Sequence, residues 1–161
     1  WRKGNKILEF KFYNKPYLGK LFAELLYEYL FEEKIEADII ISVPMYYKRY
    51  FKRGYNQSLI IAKVLSEKLH IEYGSNILIK VKQSKVQSTL DLSERMKNVL
   101  GTYSVKHAEK IYNKKILLID DVYTTGATVN ECSKVLKNNG ANKITVVTIA
   151  HGKFLGGVTN G

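Results

Sequence analysis

Two adjacent carboxylates followed by a hydroxyl-rich turn occur once in this chain, in the string ILLIDDVYTTGAT (Ile116–Thr128). Four apolar residues lead into Asp120 and Asp121. That pattern puts the carboxylates at the carboxyl end of a strand, where open α/β sheets bind ligands. Side by side they repel each other and need hydroxyl donors or a cation. The cis-diol of a ribose supplies the first and a magnesium ion the second. Thr124, Thr125 and Thr128 add hydroxyls, and Gly126, beside the small Ala127, lets the backbone close around a ligand. A helix starting just beyond leaves backbone N–H groups unsatisfied, which makes an anion site suited to a phosphate. Diol recognition and phosphate capture then lie a few residues apart, as in a ribose 5-phosphate. Taken singly, each feature could simply end a strand or cap a helix, but their conjunction in this order is far rarer. Other phosphate motifs do not fit: neither Gly-x-x-x-x-Gly-Lys-Ser/Thr nor Gly-x-Gly-x-x-Gly occurs.

The elements that must hold this string are clear in the last third of the chain. Lys115–Asp120 reads as a buried strand, Thr128–Asn139 as a helix and Lys143–Ala150 as a second strand. Val129, Cys132, Val135 and Leu136 give the helix its buried face, and Gly140 stops it. Strand, helix, strand with short connections predicts a right-handed unit with parallel strands. Upstream, Leu18, Leu21, Phe22, Leu25, Leu26 and Tyr29 make an apolar stripe on a helix over Tyr17–Phe31, with Pro16 at its start. Ile7–Tyr13 is either a short strand or an extended arm. Ala37–Val43, β-branched and closed by Pro44, reads as a strand buried on both faces. A basic, aromatic segment, Met45–Arg53, precedes a helix from about Asn56 to Leu69, and Ile77–Val81 is another strand. A polar loop over 82–98 follows, with one helical turn near Ser93–Lys97, and the tail at 152–161 reads as frayed. The whole, 1–161, is expected to form a single α/β domain with a mostly parallel central sheet flanked by helices.

Bulk properties narrow the partners. A formal net charge of +11 over 161 residues favours polyanions: nucleic acid, phosphorylated metabolites or an anionic membrane face. Cys132 is the only cysteine, which excludes disulfides and zinc clusters within the chain and reads as a small core residue. No apolar run approaches the roughly 20 residues that cross a bilayer, and Trp1-Arg2-Lys3-Gly4 opens no signal peptide. A cytoplasmic protein is expected. In Met45–Arg53, the cations Lys48, Arg49, Lys52 and Arg53 are interleaved with Tyr46, Tyr47, Tyr50 and Phe51, and Tyr55 follows closely. Such a segment either tracks a phosphate backbone while its rings stack on unpaired bases, or covers the core with its rings and leaves its cations solvated. His70, His107 and His151 lack metal-ligand spacing, so no protein-held metal is expected.

The string Ile116–Thr128 resembles the phosphoribosyl-pyrophosphate (PRPP) signature of type I phosphoribosyltransferases. That resemblance implies their fold, with Asp120 and Asp121 on the ribose hydroxyls, Thr124, Thr125, Gly126, Ala127 and Thr128 around the 5′-phosphate, and Mg2+ arriving with the pyrophosphate. It also implies a pyrophosphate loop after the first core strand, at Pro44 and Met45 with Lys48 and Arg49 near. The 82–98 loop would be the flexible catalytic lid, supplying Lys82, Lys85 and Arg95. Lys52, Arg53 and Tyr55, with Lys82 and Arg95, are candidates for nucleic-acid or lid contacts. A narrower resemblance is to the competence-associated ComF family. It rests on SVPMYYKRYFKRGYNQSLIIAKVL (Ser42–Leu65) and on KVKQSKVQSTLDLSERMKNVLGTY (Lys80–Tyr103), including Arg53-Gly54-Tyr55-Asn56-Gln57, Gln83, Gln87, Leu90, Arg95 and Asn98. Many members begin with a four-cysteine zinc ribbon, which nothing before Trp1 supplies. This resemblance implies support of DNA uptake in natural competence, with single-stranded DNA and competence proteins such as a helicase as partners. Two classes stay open. One is a transferase using Mg–PRPP, including a salvage enzyme of unknown base; Thr124 replaces the acidic base of the 6-oxopurine branch and argues against hypoxanthine or guanine. The other is a non-catalytic module that binds single-stranded DNA or partner proteins and keeps only the fold.

Overall fold

The computed structural model describes residues 17–83 and 97–151. Ile7–Tyr13, Lys85, Arg95, most of the 82–98 loop and the 152–161 tail lie outside the described residues. In chain order the elements are α1 (Tyr17–Glu32), β1 (Ile39–Ser42), α2 (Tyr47–Arg53), α3 (Gln57–Leu69), β2 (Glu72–Tyr73), β3 (Leu78–Lys80), β4 (Tyr103–Val105), a 3-10 turn (Ala108–Lys110), β5 (Lys115–Tyr123), α4 (Ala127–Asn138) and β6 (Lys143–His151).

Four strands form a sheet in the order β2-β1-β5-β6, with every neighbouring pair parallel. From β1 the chain crosses outward to β2; from β5 it crosses outward the other way, to β6. The strand order therefore reverses between β1 and β5, and a crevice opens outside the carboxyl ends of those two strands. The loop after β1 carries Pro44 and Met45, and the turn after β5 carries Thr124–Gly126.

Alternation along the central strands explains the layers. Ile39, Ile41, Ile116 and Leu118 face a core shared with Val129, Cys132 and Leu136 of α4 and with Leu78 and Tyr103. Ile40, Leu117 and Ile119 face the opposite core, built from Leu18, Phe22 and Leu30 of α1 and Ile61, Ala62 and Leu65 of α3. Because both sheet faces are covered, β1 and the first half of β5 are continuous apolar runs rather than alternating ones.

Several expectations change. The strand expected over Ile77–Val81 forms as β3, outside the main sheet, and pairs antiparallel with β4 in a separate two-stranded sheet. Neither β4 nor the two-residue β2 carries enough apolar pattern to be read in advance. Met45–Arg53 is largely helical, and Tyr47, Tyr50 and Phe51 stand exposed instead of covering the core. The stripe on α1 is wider than the face it buries. Leu18 and Phe22 are covered, while Tyr17, Leu21, Leu25 and Tyr29 follow one another at four-residue steps on the exposed side. A step of four overshoots the helical repeat, so one such row cannot share the burial of the next. The Val43–Pro44 peptide is trans. Among the described residues no helix is long and apolar enough to cross a membrane.

Leu118 is fully buried and Leu25 is half-exposed. Leu118→Ala is therefore expected to destabilise the domain by about 2–5 kcal/mol, and Leu25→Ala by no more than about 0.5 kcal/mol, as read from urea midpoints at unchanged m-value.

Candidate functional site

The acid pair does not begin a loop. β5 continues through Tyr123, and Asp120 still sits opposite Thr148 of β6, with Val122 opposite Ala150. Strand alternation then sends the two carboxylates to different environments. Asp120 is buried at 8% exposure, while Asp121 is half-buried. Asp120 Oδ1 accepts from Ser58 Oγ at 3.2 Å and from the Asp121 backbone N–H at 2.9 Å. Asp121 Oδ1 accepts from the Val122 N–H at 2.8 Å. Burial, followed by the negative charge of Asp121, pushes the Asp120 carboxyl up to about 7, against the pull of its two donors. Asp120 thus holds its proton at acidic pH and ionises near neutrality.

Ser58 is delivered by the start of α3. Asn56 caps that helix, its Oδ1 accepting from the Ser58 N–H at 3.1 Å while its Nδ2 donates to the Val43 carbonyl at 3.1 Å. One residue therefore ties the first turn of α3 to the end of β1. Arg53, the last residue of α2, donates from Nη1 to Gln57 Oε1 at 3.1 Å. Its guanidinium is held down first by burial and then by the Arg49 charge, with Asp121 acting in the opposite sense.

Beyond β5, Gly126 has φ 77 and precedes α4, whose first residues are Ala127 and Thr128. A Cβ on Gly126 would meet Tyr123 Oη at 2.5 Å and Cζ at 2.9 Å, so the Tyr123 ring lies tight across the turn. The Ala127 N–H reaches Thr125 Oγ1 at 3.4 Å, a marginal bond. Thr124 is exposed, Thr125 and Thr128 are half-buried, and Thr128 bonds the Tyr103 phenol, which burial pushes up strongly.

On the β1 side, Pro44 and Met45 line a cavity of about 270 Å³ with Tyr47, Tyr50, Tyr73 and Lys80. This cavity lies beside the acid pair rather than over it. At its floor Ser42 Oγ and Tyr73 OH share a hydrogen bond of 2.9 Å. Lys80 Nζ donates to Tyr103 OH at 3.3 Å and stands 5.1 Å from the centre of that ring. Burial holds the Lys80 ammonium below its ordinary range, the Arg49 charge adds to this, and Asp120 opposes it. Arg49 thus acts electrostatically on Lys80, Arg53 and Tyr103 together. Lys48, Lys52 and Lys82 are exposed, and Tyr55 packs half-buried against the α1–α3 core. The His151 backbone pairs with Tyr123 at the end of β6.

Among the residues anticipated from sequence, Asp120, Asp121, Thr124–Thr128, Pro44, Met45 and Arg49 converge on one end of the sheet. Lys48, Lys52 and Lys82 point to solvent around it. Ser58, Lys80 and Tyr103 join the site without having been anticipated. Lys80 had one available signal, a cation ending an apolar strand two residues before the lysine that was chosen.

The phosphoribosyl transferase domain family matches residues 11–153. The chain belongs to that family. Among curated relatives, this chain is 35% identical over 98 residues to competence protein F of Haemophilus influenzae, covering 60% of the chain and 43% of the relative. To competence protein ComFC of Streptococcus pneumoniae it is 35% identical over 96 residues, covering 60% and 40%. To the DNA utilization protein YhgH of Escherichia coli K12 it is 31% identical over 93 residues, covering 58% and 40%. The matched stretch spans less than half the length of each relative. Among solved structures, glutamine phosphoribosylpyrophosphate amidotransferase from B. subtilis superposes with TM-score 0.52 at 22% identity, covering 84% of this chain and 26% of that one. A hypoxanthine phosphoribosyltransferase from Staphylococcus aureus superposes with TM-score 0.51 at 15% identity, covering 83% and 63%. These likenesses show the type I phosphoribosyltransferase fold.

Two outcomes follow for this phosphoribosyltransferase-fold site. The folded Asp120 carboxyl titrates above its ordinary value, so its contribution to stability is full at about pH 4 and is lost as pH rises through about 7. Asp120→Asn should therefore melt several degrees higher than wild type at pH 8, with the gap closing toward pH 4 in a series of thermal melts. Gly126→Ala combines a positive φ with the Tyr123 contact and should lose about 1–2 kcal/mol from backbone strain alone. Gly126→Ala/Tyr123→Ala should recover only the part due to the ring, as read from denaturant midpoints.

Proposed function

We propose that this chain binds Mg–PRPP, or a related ribose-phosphate, in the crevice between β1 and β5, and that the whole protein supports DNA uptake in natural competence. The observation that carries this reading is the acid pair at the point where the strand order reverses, followed by a threonine-rich turn into the first residues of α4. Asp120 and Asp121 take the ribose hydroxyls. Thr124, Thr125, Gly126, Ala127 and Thr128 enclose the 5′-phosphate with hydroxyls and backbone N–H groups. Pro44, Met45, Lys48 and Arg49 meet the pyrophosphate. One carboxylate buried and one half-buried suit a ligand that brings both hydroxyls and a magnesium ion, and that ion supplies charge to the pyrophosphate as it leaves.

If turnover occurs, pyrophosphate departs from the anomeric carbon and a nitrogenous nucleophile replaces it. The protein then contributes positioning and charge stabilisation, with Arg49 and Lys80 near the leaving group.

A second reading is favoured by α2. Tyr47, Tyr50 and Phe51 stand exposed on a seven-residue helix that also bears Lys48, Arg49 and Lys52. The Tyr50 and Phe51 rings meet edge-on at 6.3 Å, and Tyr46 and Tyr47 lie 4.6 Å apart. Exposed rings and cations on one short helix suit single-stranded DNA, and the names of the relatives accord with DNA handling. In this reading the domain works in the cytoplasm beside competence proteins such as a helicase, and the crevice is a vestige of the fold.

Calorimetry with Mg–PRPP on wild type and on Asp120→Asn/Asp121→Asn separates the two, with a single-stranded oligonucleotide titrated in parallel. The expected outcome is binding by wild type, a loss of at least about 100-fold in the double variant, and oligonucleotide affinity unchanged by it. Salt-sensitive oligonucleotide binding with no response to Mg–PRPP would leave only the second reading.

A further inference from the structure

Within Arg53-Gly54-Tyr55-Asn56-Gln57-Ser58, most members have work that the fold explains. Gly54 ends α2 at φ 82, Asn56 caps α3 and holds Val43, and Ser58 donates to Asp120. Gln57 is different. Its side chain is 1% exposed, its Oε1 accepts from Arg53, and its Nε2 is buried with no hydrogen-bond partner among the described residues. A buried donor without an acceptor costs stability, and Met or Leu would fill the same space without that cost. A purely packing role therefore does not account for glutamine here.

Arg53 accounts for it. The guanidinium has only donors, so it fixes which end of the amide faces it; turning the amide over would set N–H against N–H. The unpartnered Nε2 is the consequence of aiming Oε1 at Arg53. Arg53 in turn is half-buried, whereas its neighbour Lys52 is exposed, and the charges of Asp121 and Arg49 both act on it. Left to itself, a long cationic side chain ending a short helix would extend into water. Held at 3.1 Å by a buried carbonyl, it is tied to the residue that precedes Ser58, the donor to Asp120.

We propose that Gln57 is a positioning residue: its buried carbonyl holds the Arg53 guanidinium at the start of α3, one residue before the serine that donates to Asp120, where Arg53 engages a phosphate or pyrophosphate oxygen of the phosphorylated pentose bound by the acid pair. The inference rests on the ribose-phosphate reading above. It moves Arg53 from the DNA-facing set to the ligand-facing set and separates it from Lys52. A planar fork fixed at one end presents its remaining N–H groups in one direction, as bidentate phosphate recognition requires.

The test uses the full chain and the variants Arg53→Ala, Gln57→Met, Gln57→Glu and Gln57→Met/Arg53→Ala, with Mg–PRPP affinity from calorimetry and a thermal melt on each. Arg53→Ala should weaken binding by about tenfold or more. Gln57→Met should weaken it by a comparable factor while melting no lower than wild type. The double variant should be no worse than Arg53→Ala alone, and Gln57→Glu, which keeps an acceptor for the guanidinium, should restore most of the affinity. A second readout needs no ligand: the Arg53 Nε–Hε resonance should report an ordered side chain in wild type and a mobile one in Gln57→Met. The proposal is overturned if Arg53 stays equally ordered in Gln57→Met, if Gln57→Met binds Mg–PRPP as wild type does, or if the two losses add. A wild type that ignores Mg–PRPP while Gln57→Met frees Arg53 sinks the ribose-phosphate reading and upholds the positioning role.

Discussion

A carboxylate buried at the end of the central strand is the constraint around which the rest is arranged. Asp120 cannot be solvated where it sits, so the protein supplies donors: Ser58 Oγ from the first turn of α3 and the N–H of Asp121. Burying a charge with only that much compensation leaves it reluctant to ionise. The surrounding design follows from this need. α3 must start close to β5, which Asn56 secures by capping the helix and gripping the end of β1 at once. Arg53 feels the charge of Asp121 and Lys80 that of Asp120, while Arg49 acts on both cations.

The sheet makes that arrangement affordable. Because β1 and β5 are neighbours whose onward connections run in opposite directions, a crevice is left at their carboxyl ends. The turn after β5 and the loop after β1 therefore face the same crevice without being adjacent in sequence. Apolar residues on both sheet faces keep those ends rigid, with α4 on one side and α1 and α3 on the other.

The sequence made legible whatever is local. Strand, acid pair, threonine-rich turn and α4 are consecutive, so residue type and spacing carried them, as did the long apolar runs of β1, β5 and β6. What it hid is what depends on distance or on context. Ser58 meets Asp120 across 62 positions, and no pattern in α3 distinguishes that serine from a solvent-facing one. Lys80 belongs to a three-residue strand too short to show which way its side chains alternate. α2 reads as a loop because its rings and cations have no apolar face to bury, and its helical state comes from the Gly54 stop and the neighbouring chain rather than from periodicity. On α1 the same limit worked in reverse: a broad stripe of large apolar residues does not say which row another element will cover.

Asp120 is a rung of the β5–β6 ladder opposite Thr148, and Asp121 lies between it and the next rung, Val122 opposite Ala150. Turns and loops can drift in length and composition without touching that ladder, whereas the ladder cannot drift without loosening the core. The backbone that carries the acid pair is thus held by the architecture, whereas its two side chains are not. A change of either carboxylate would leave the ladder whole, so a fold of this kind can keep its shape after the chemistry of its crevice has changed.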